Sequence, residues 1–241
     1  MILCIETSST VCSVAIFSEQ SLLSIEEHAV SNSHSVLLIP MIDAVLQKAK
    51  IGFDELKAVA VSAGPGSYTG LRIGVSTAKG FCDALNIPLI AVPTLEAMAK
   101  GFVDKNKITE GLICPMFDAR RMEVYYWLGD CKGTAIETVQ SLILNEHSFE
   151  ARLAEQKIYF IGNGAKKTSL VLKNSNAFYD YDFQPSSCWL GMISDQKYTE
   201  RMFEDLAYFE PFYLKDSESH LKKTETKLRA KKLSIGYPTV L

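Results

Sequence analysis

The sequence predicts an α/β protein of two lobes, each built from a mixed sheet flanked by helices. Three observations support this prediction. Three short apolar segments between residues 2 and 28 have the length and patterning of strands and are separated by tight turns. Strand-like and helix-like segments then alternate from residue 33 to residue 101. After a polar stretch at 103–110, a shorter series of similar elements follows, which indicates a second and smaller lobe.

The order of the elements in the first lobe predicts how they are arranged. Apolar residues at helical spacing predict a helix over 33–50. Two strand–turn–helix units follow, with their strands at 56–61 and 87–92. The order βββαβαβα is that of the ribonuclease H-like unit of actin-like ATPases. We therefore expect a sheet with parallel members that is covered by helices.

The predicted boundaries are 1–102 for the N-terminal actin-like lobe, 103–215 for a smaller C-terminal lobe and 216–241 for a charged tail. Residues 215–232 carry seven basic and three acidic side chains, whereas the whole chain has a net charge of −3. An acidic body is by itself a poor binder of polyphosphates. A solvated terminus is the favoured interpretation of the tail, and contact with RNA is the alternative.

Several classes of protein are disfavoured by what the sequence lacks. It has no run of about 18 apolar residues and no signal-peptide pattern at its start, so a cytoplasmic protein without a membrane span is expected. The six cysteines form no C-x-x-C pair, so no thiolate zinc site is expected. Neither His-Glu-x-x-His nor Gly-x-Ser-x-Gly occurs, which disfavours a protease. The cysteines that lie in apolar runs are expected to be buried: Cys4, Cys12, Cys82 and Cys114.

Three turns occupy places where actin-like ATPases hold a nucleotide: one after the first strand, one after the first strand of the second lobe, and a glycine-rich turn before a later helix. Phosphate-binding turns usually carry glycine, which lets backbone amides approach the anion, and the first two turns have none. A turn satisfied by its own hydroxyl groups is favoured for the first. For the other two, a structural turn and a ligand site remain open. The residues of these vestigial nucleotide-site turns are Glu6, Thr7, Ser8, Asp118, Gly162 and Gly164.

The segment 62–74, SAGPGSYTGLRIG, carries the most information in the sequence. Gly70, Gly74 and Ala78 lie four residues apart, so they form one helical stripe that is poor in side chains. Each interior glycine costs about 0.5–1 kcal/mol relative to alanine. We therefore expect a close neighbour along this stripe. Packing within the lobe and contact with another helix remain equally open.

Because of this segment and several others, the sequence resembles the TsaB family. The segment 62–74 is similar to that family's most specific signature, and the start ILCIETSS at 2–9 is similar as well. The resemblance covers about residues 1–215, and the tail has no counterpart in it. Weaker similarities follow in the family's order at 34–40, 118–125, 162–165 and 211–214.

The resemblance implies a non-catalytic subunit of the bacterial machinery that makes threonylcarbamoyladenosine in tRNA. Its larger paralogue, TsaD, transfers the threonylcarbamoyl group to the adenosine next to the anticodon and binds a metal through a His-x-x-x-His pair. This sequence has no such pair, since His28 and His34 lie six residues apart. The resemblance therefore implies no catalytic residue, no metal and no cofactor in this chain, with any weak nucleotide binding mainly through the partner. The implied partners are the TsaD paralogue, the TsaE ATPase, tRNA indirectly through the complex, and a second copy of the chain when it is alone.

The helix over 33–50 bears on the partnership. Its apolar residues cover two adjacent faces, which is wider than the ~100° stripe of a helix packed on one sheet. An exposed apolar patch of this kind often marks an interface, and the resemblance implies that the first two helices pair with those of TsaD. Core packing alone is the alternative. The predicted interface residues are Leu37, Leu38, Met41, Val45, Gly70, Leu71, Gly74, Val75 and Ala78.

One alternative function belongs to a different class. An autonomous actin-like ATPase or phosphotransferase would use Glu6 and Asp118 with magnesium. The missing glycines disfavour this function, because a β-carbon at either turn would crowd the phosphates.

Overall fold

A computed structural model describes residues 1–29 and 33–214, so the predicted tail at 216–241 lies outside the described residues. The described chain contains two five-stranded sheets. The strands of the first sheet are β1 (Ile2–Glu6), β2 (Val11–Ser18), β3 (Ser21–Ala29), β4 (Ala58–Ser62) and β5 (Leu89–Val92). The strands of the second sheet are β6 (Leu112–Asp118), β7 (Glu123–Asp130), β8 (Ala135–Ile143), β9 (Ile158–Ile161) and β10 (Ala177–Asp180).

The two sheets share one topology. The first has the order β3-β2-β1-β4-β5, with β1, β2 and β3 antiparallel and with β4 and β5 parallel to β1. The second has the corresponding order β8-β7-β6-β9-β10 and the same strand directions. A ribonuclease H-like unit is thus present twice. The predicted α/β fold class, two mixed sheets of the actin-like type flanked by helices, is confirmed.

The helices form layers on both sides of the sheets. They are α1 (His34–Ala49), α2 (Tyr68–Leu85), α3 (Thr94–Asn106), α4 (Glu150–Glu155), α5 (Asn163–Val171) and α6 (Ser187–Thr199). On the first sheet, α1 lies over β2 and β3 and α2 lies mainly over β4, whereas α6 covers the opposite face. Helix α3 contacts both α6 and β6, so it separates the two sheets, and α5 covers the far face of the second sheet.

The C-terminal part of the described chain corrects the predicted lobe boundaries. Residues 103–215 were predicted to form the second lobe, but α6 packs on β1 and β2 of the first sheet, where Leu190 is fully buried. The following segment stays with that sheet, because the Glu204 backbone N–H donates to Leu89 at 2.9 Å. Helix α3 also continues to Asn106, into the stretch predicted as a linker. The chain therefore returns to its first lobe, a long-range contact that local patterns do not reveal.

Two further expectations concern the interior and the surface. The four cysteines in apolar runs are buried, and burial raises the pKa of the Cys4 thiol to about 12. No helix within the described ranges combines the length and apolar character needed to cross a bilayer.

Candidate functional site

A cleft of about 480 Å³ opens between the two lobes, where the end of β1 faces the end of β6. These two strand ends are equivalent places in the two repeated units. The N-termini of α1, α2 and α5 also reach the cleft. Its polar lining includes Ser8, Thr10, His34, Ser67, Asp118 and Asn163.

The turn after β1, formed by Glu6, Thr7 and Ser8 and called the β1 turn below, is held against the start of α2. The Ser67 backbone N–H donates to the Ser8 carbonyl at 2.6 Å. The Thr7 hydroxyl donates to the Gly70 carbonyl at 2.8 Å, and Thr7 is fully buried. The backbone of this turn is therefore engaged with α2.

Glycines in α2 and just before it make this close approach possible. A β-carbon at Gly66 would lie 2.5 Å from the Ser8 carbonyl oxygen, and one at Gly70 would collide with the Thr7 carbonyl. A β-carbon at Gly74 would collide with the Thr7 side chain. Packing within the lobe therefore explains the side-chain-poor stripe. The prediction that Gly70 and Gly74 face a partner is wrong, because the β1 turn already occupies the space beside them.

Glu6 is buried behind the β1 turn. Its carboxylate accepts a hydrogen bond from the Ser8 backbone N–H at 2.5 Å, and the residue does not line the cleft. Burial raises the pKa of Glu6, although hydrogen bonds from Ser8 and Ser62 act in the opposite direction. The fold thus favours the neutral form of a carboxyl group that the sequence placed among nucleotide-site residues.

The turn at residues 118–123, called the β6 turn below, is more open. The Lys167 ammonium group forms an ion pair with Asp118 at 2.8 Å and donates to the carbonyls of Arg121 at 2.7 Å and Glu123 at 3.0 Å. The Asp118 carboxylate also accepts from the Arg120 backbone N–H at 2.7 Å. The backbone of Arg120 and Arg121 has φ values of +70° and +48°. One lysine therefore holds a turn with two left-handed arginines.

The glycine-rich turn before α5 serves close packing. Gly162 has φ +90°, and a β-carbon there would lie 2.6 Å from the Met116 carbonyl oxygen. A β-carbon at Gly164 would lie 2.8 Å from the Met116 side chain. Asn163, between them, accepts a hydrogen bond from the Asp118 backbone N–H at 2.8 Å. The plain strand-to-helix turn is the interpretation that fits these glycines.

The structure therefore divides the predicted nucleotide-site residues into two groups. Ser8 and Asp118 line the cleft, whereas Glu6, Thr7, Gly162 and Gly164 lie in the packing around it. The alternative in which Glu6 and Asp118 act together on magnesium is wrong in its geometry, because Glu6 does not reach the cleft. In the part of the chain that the structure describes, no group of three His, Cys, Asp or Glu side chains is placed to hold a metal ion.

Most of the predicted interface residues are buried in the chain's own core. The side chains of α1 contact β2 and β3, and those of α2 contact β4, so both faces of the wide apolar stripe are covered. Leu37 alone among the larger side chains is only half-buried. The expected exposure of the following residues is wrong: Leu38, Met41, Val45, Leu71, Val75 and Ala78.

A different set of apolar residues on α1 faces outward. Val36 is 72% exposed and Ile39 is 54% exposed, and Pro40 beside them is exposed as well. Their spacing places them on one helix face. These three residues are called the α1 ridge below. A count of apolar residues could not separate them from the buried ones, because both sets are apolar residues of one helix.

Sequence reasoning also missed three residues that shape the cleft. His34 is buried and lines it, with its Nε2 atom 3.4 Å from the Val11 carbonyl oxygen. Asn163 and Lys167 both reach back to the β6 turn. Their spacing of four residues was the available signal, because it places both side chains on one face of a helix.

The chain has relatives among known proteins. The family described as "TsaD: tRNA N6-adenosine threonylcarbamoyltransferase" matches residues 25–223. The chain is 33% identical over 165 residues to the tRNA threonylcarbamoyladenosine biosynthesis protein TsaB of Bacillus subtilis, which covers 67% of this chain and 70% of the relative. It is 27% identical over 220 residues to the TsaB protein of Buchnera aphidicola subsp. Baizongia pistaciae, covering 89% of this chain and 98% of the relative. The structure of YeaZ from Pseudomonas aeruginosa, 23% identical, superposes with a TM-score of 0.77 over 88% of this chain and 99% of that one.

Proposed function

The chain belongs to the TsaB family, and from this premise we propose that it is a non-catalytic partner subunit in the synthesis of threonylcarbamoyladenosine in tRNA. The relatives at about one-third identity are named as biosynthesis proteins for this modification. The matching family is described as a threonylcarbamoyltransferase that acts on a tRNA adenosine. The chain takes part in the same pathway, in the cytoplasm, and supports the transfer step that a TsaD paralogue catalyses.

The observation that carries the non-catalytic role is the packing of the β1 turn. Phosphate-binding turns leave their backbone amides free to approach an anion. Here the Ser8 backbone N–H donates to the Glu6 carboxylate and the Thr7 backbone N–H donates to the Ser62 hydroxyl, so both amides are already used within the lobe. Glu6 is buried away from the cleft. This half of the cleft therefore offers little room for a nucleotide phosphate.

We propose that the α1 ridge docks on the TsaD paralogue, and on a second copy of this chain when the paralogue is missing. Val36 is 72% exposed and Ile39 is 54% exposed, and both lie on one helix face. A helix that covers them removes this apolar surface from water, which stabilises the contact. This site replaces the predicted set of core residues on α1 and α2. Contacts with the TsaE ATPase and with tRNA follow from the assembled complex.

The docking surface is tested with the purified chain and the paralogue of the same organism. Ile39→Asp places a charge on the ridge without touching the core, so it is expected to weaken the complex at least about tenfold. Ile143→Asp on β8 is the matched control, because Ile143 is 70% exposed and lies in the other lobe. Size-exclusion chromatography with light scattering measures the complex. Equal binding by both variants would contradict the proposed surface.

We also propose that the chain holds no nucleotide of its own. Calorimetric titration of the isolated chain with ATP and magnesium is expected to show only heats of dilution. Saturable binding that Asp118→Asn abolishes would instead support an autonomous nucleotide site at the β6 turn.

A further inference from the structure

A second cleft, of about 780 Å³, adjoins the first and shares Gly66, Ser67, Asp118 and Tyr125 with it. One wall is the β6 turn. The other wall consists of the start of α2 and the last described residues of the chain. We call it the arginine–aromatic cleft, after the side chains that distinguish it from the first: Arg120, Arg121, Tyr68, Phe212 and Tyr213.

Contacts within the chain fix the conformation of the wall that carries the two arginines. Arg120 and Arg121 are consecutive residues with positive φ, an uncommon conformation for side chains of this size. Lys167 keeps them there through its bonds to Asp118 and to the Arg121 carbonyl. Both arginine side chains are exposed, and neither forms an ion pair with another described residue. Two guanidinium groups therefore point to solvent from a fixed turn.

The opposite wall of the cleft is formed by aromatic side chains. Tyr68 and Tyr213 lie with their ring centroids 4.8 Å apart, and the Arg72 guanidinium sits 4.5 Å over the Tyr68 ring. The Phe212 backbone N–H donates to Ala63 at 2.7 Å, which fixes this residue at the rim of the cleft. The Phe212 ring is 48% exposed and stacks on no other ring within the described ranges. Its face is available to a flat ligand.

The charge of the cleft differs from that of the whole chain. The sequence has a net charge of −3, from which the body was expected to bind phosphates poorly. Within the cleft, Lys167 neutralises Asp118, and Arg120 and Arg121 face a single further carboxylate, Glu123. Local charge, not the total, governs an encounter with phosphates within a Debye length of about 8–10 Å.

We propose that the arginine–aromatic cleft binds single-stranded RNA, with phosphates at Arg120 and Arg121 and a base stacked on Phe212. Guanidinium groups bind phosphate oxygens in a fork, and exposed rings stack on unpaired bases of any sequence. An acidic peptide would pair with the arginines but would leave the ring faces unused. The inference rests on the proposed function, since a subunit for tRNA modification meets RNA, and it deepens that function by giving the chain a direct RNA contact.

The proposed phosphate contacts of the arginines are tested by fluorescence anisotropy, with the full chain and a labelled single-stranded RNA of about ten nucleotides. Arg120→Ala/Arg121→Ala is expected to weaken binding at least about tenfold at low salt. It should also flatten the slope of log K against log salt by about 1.4, because each lost phosphate contact removes about 0.7 for a single strand. The matched control is Arg152→Ala/Arg201→Ala, which removes the same charge outside the cleft. Equal losses in the two double variants, or no RNA binding by the wild-type chain, would overturn the proposal.

The proposed stacking of a base on Phe212 is tested with Phe212→Ala. This variant is expected to bind RNA at least about fivefold more weakly, while the slope of log K against log salt stays unchanged. Phe178→Ala is the control, because Phe178 has a similar exposure and lies outside the cleft. Competition with adenosine monophosphate and with polyglutamate identifies the ligand class. If either competitor displaces the RNA with a dissociation constant equal to that of the RNA, the cleft is not a polynucleotide site and the proposal is overturned.

The test is independent of partner binding. If Ile39→Asp no longer binds the TsaD paralogue but still binds RNA, both proposals are supported. RNA binding that is lost in the cleft variants supports the RNA site even if Ile39→Asp leaves the complex unchanged, in which case only the docking surface fails.

Discussion

The β1 turn and the β6 turn occupy the same place in two copies of one fold unit, yet they differ in almost every physical property. The β1 turn is buried and pressed on α2, and its carboxyl group, Glu6, is driven toward the neutral form. The β6 turn is exposed, and its carboxylate, Asp118, is paired with Lys167. Repetition of a topology therefore does not preserve a site. Side-chain volume beside the turn decides whether a ligand has room.

The difference follows from a few residues on each side. Gly66 just before α2, and Gly70 and Gly74 within it, face the β1 turn, and their missing side chains let the two backbones meet. Helix α5 presents Lys167, whose long side chain spans the gap and binds the β6 turn from a distance. The β1 turn therefore contacts α2 directly, whereas the Lys167 side chain holds the β6 turn at a distance from α5.

The largest expected effect comes from breaking the contact at the β1 turn. Gly70→Ala places a β-carbon on the Thr7 carbonyl, so it is expected to lower the free energy of unfolding by about 3 kcal/mol. Gly80→Ala in the same helix is the matched control. No heavy atom lies within 4 Å of its added β-carbon, so it should stabilise the chain by about 0.5–1 kcal/mol. Urea denaturation measures both, and equal effects of the two substitutions would refute the close contact.

An intermediate effect is expected from removing the hydrogen bonds that Lys167 makes to the β6 turn. Lys167→Met keeps the aliphatic length but loses three hydrogen bonds, so it is expected to cost about 2 kcal/mol. Lys166→Met is the control, because that side chain is exposed and next in sequence. Denaturant unfolding again gives the comparison. If Lys167→Met costs no more than Lys166→Met, the β6 turn does not depend on this lysine.

The smallest effect is a pH dependence at the β1 turn. Burial raises the pKa of Glu6 above its usual 4.5, so the folded chain holds this proton more tightly than the unfolded chain. The resulting stability is full below the unfolded pKa and is lost as the pH rises through the folded pKa. Glu6→Gln has no proton to lose, so its free energy of unfolding relative to that of the wild type should rise between about pH 5 and pH 8. Thermal unfolding at both ends of this range measures it. A difference between variant and wild type that is constant with pH would show that burial does not raise the pKa of Glu6.

Local patterns in the sequence were sufficient for the fold class. The periodicity of the segments and their order predicted both mixed sheets, because each unit folds from contacts between neighbouring elements. The return of α6 to the first sheet was not predictable in this way, since Leu190 meets residues of β1 and β2 that are far away in sequence. The second lobe is therefore shorter than predicted.

The site was predicted in its position but not in its details. The sequence located both turns, and the glycine stripe correctly required a close neighbour, but only the structure identifies that neighbour as Thr7. The prediction that the apolar stripe of α1 is wider than one sheet can cover was wrong, because the sheet and α2 cover both of its faces. Which residues remain exposed depends on the rotation of the helix about its axis, and that rotation turned Val36 and Ile39 outward instead of Met41.

The central claim, that this chain supports a transfer reaction without performing it, is tested most directly by reconstitution. Unmodified tRNA is incubated with the threonylcarbamoyl donor and with this chain alone, the TsaD paralogue alone, or both together with the TsaE ATPase, and modified adenosine is quantified by mass spectrometry. The account predicts no modification by this chain alone, full modification by the mixture, and a strong reduction when the mixture contains Ile39→Asp. Modification of tRNA by this chain in the absence of the paralogue would contradict it.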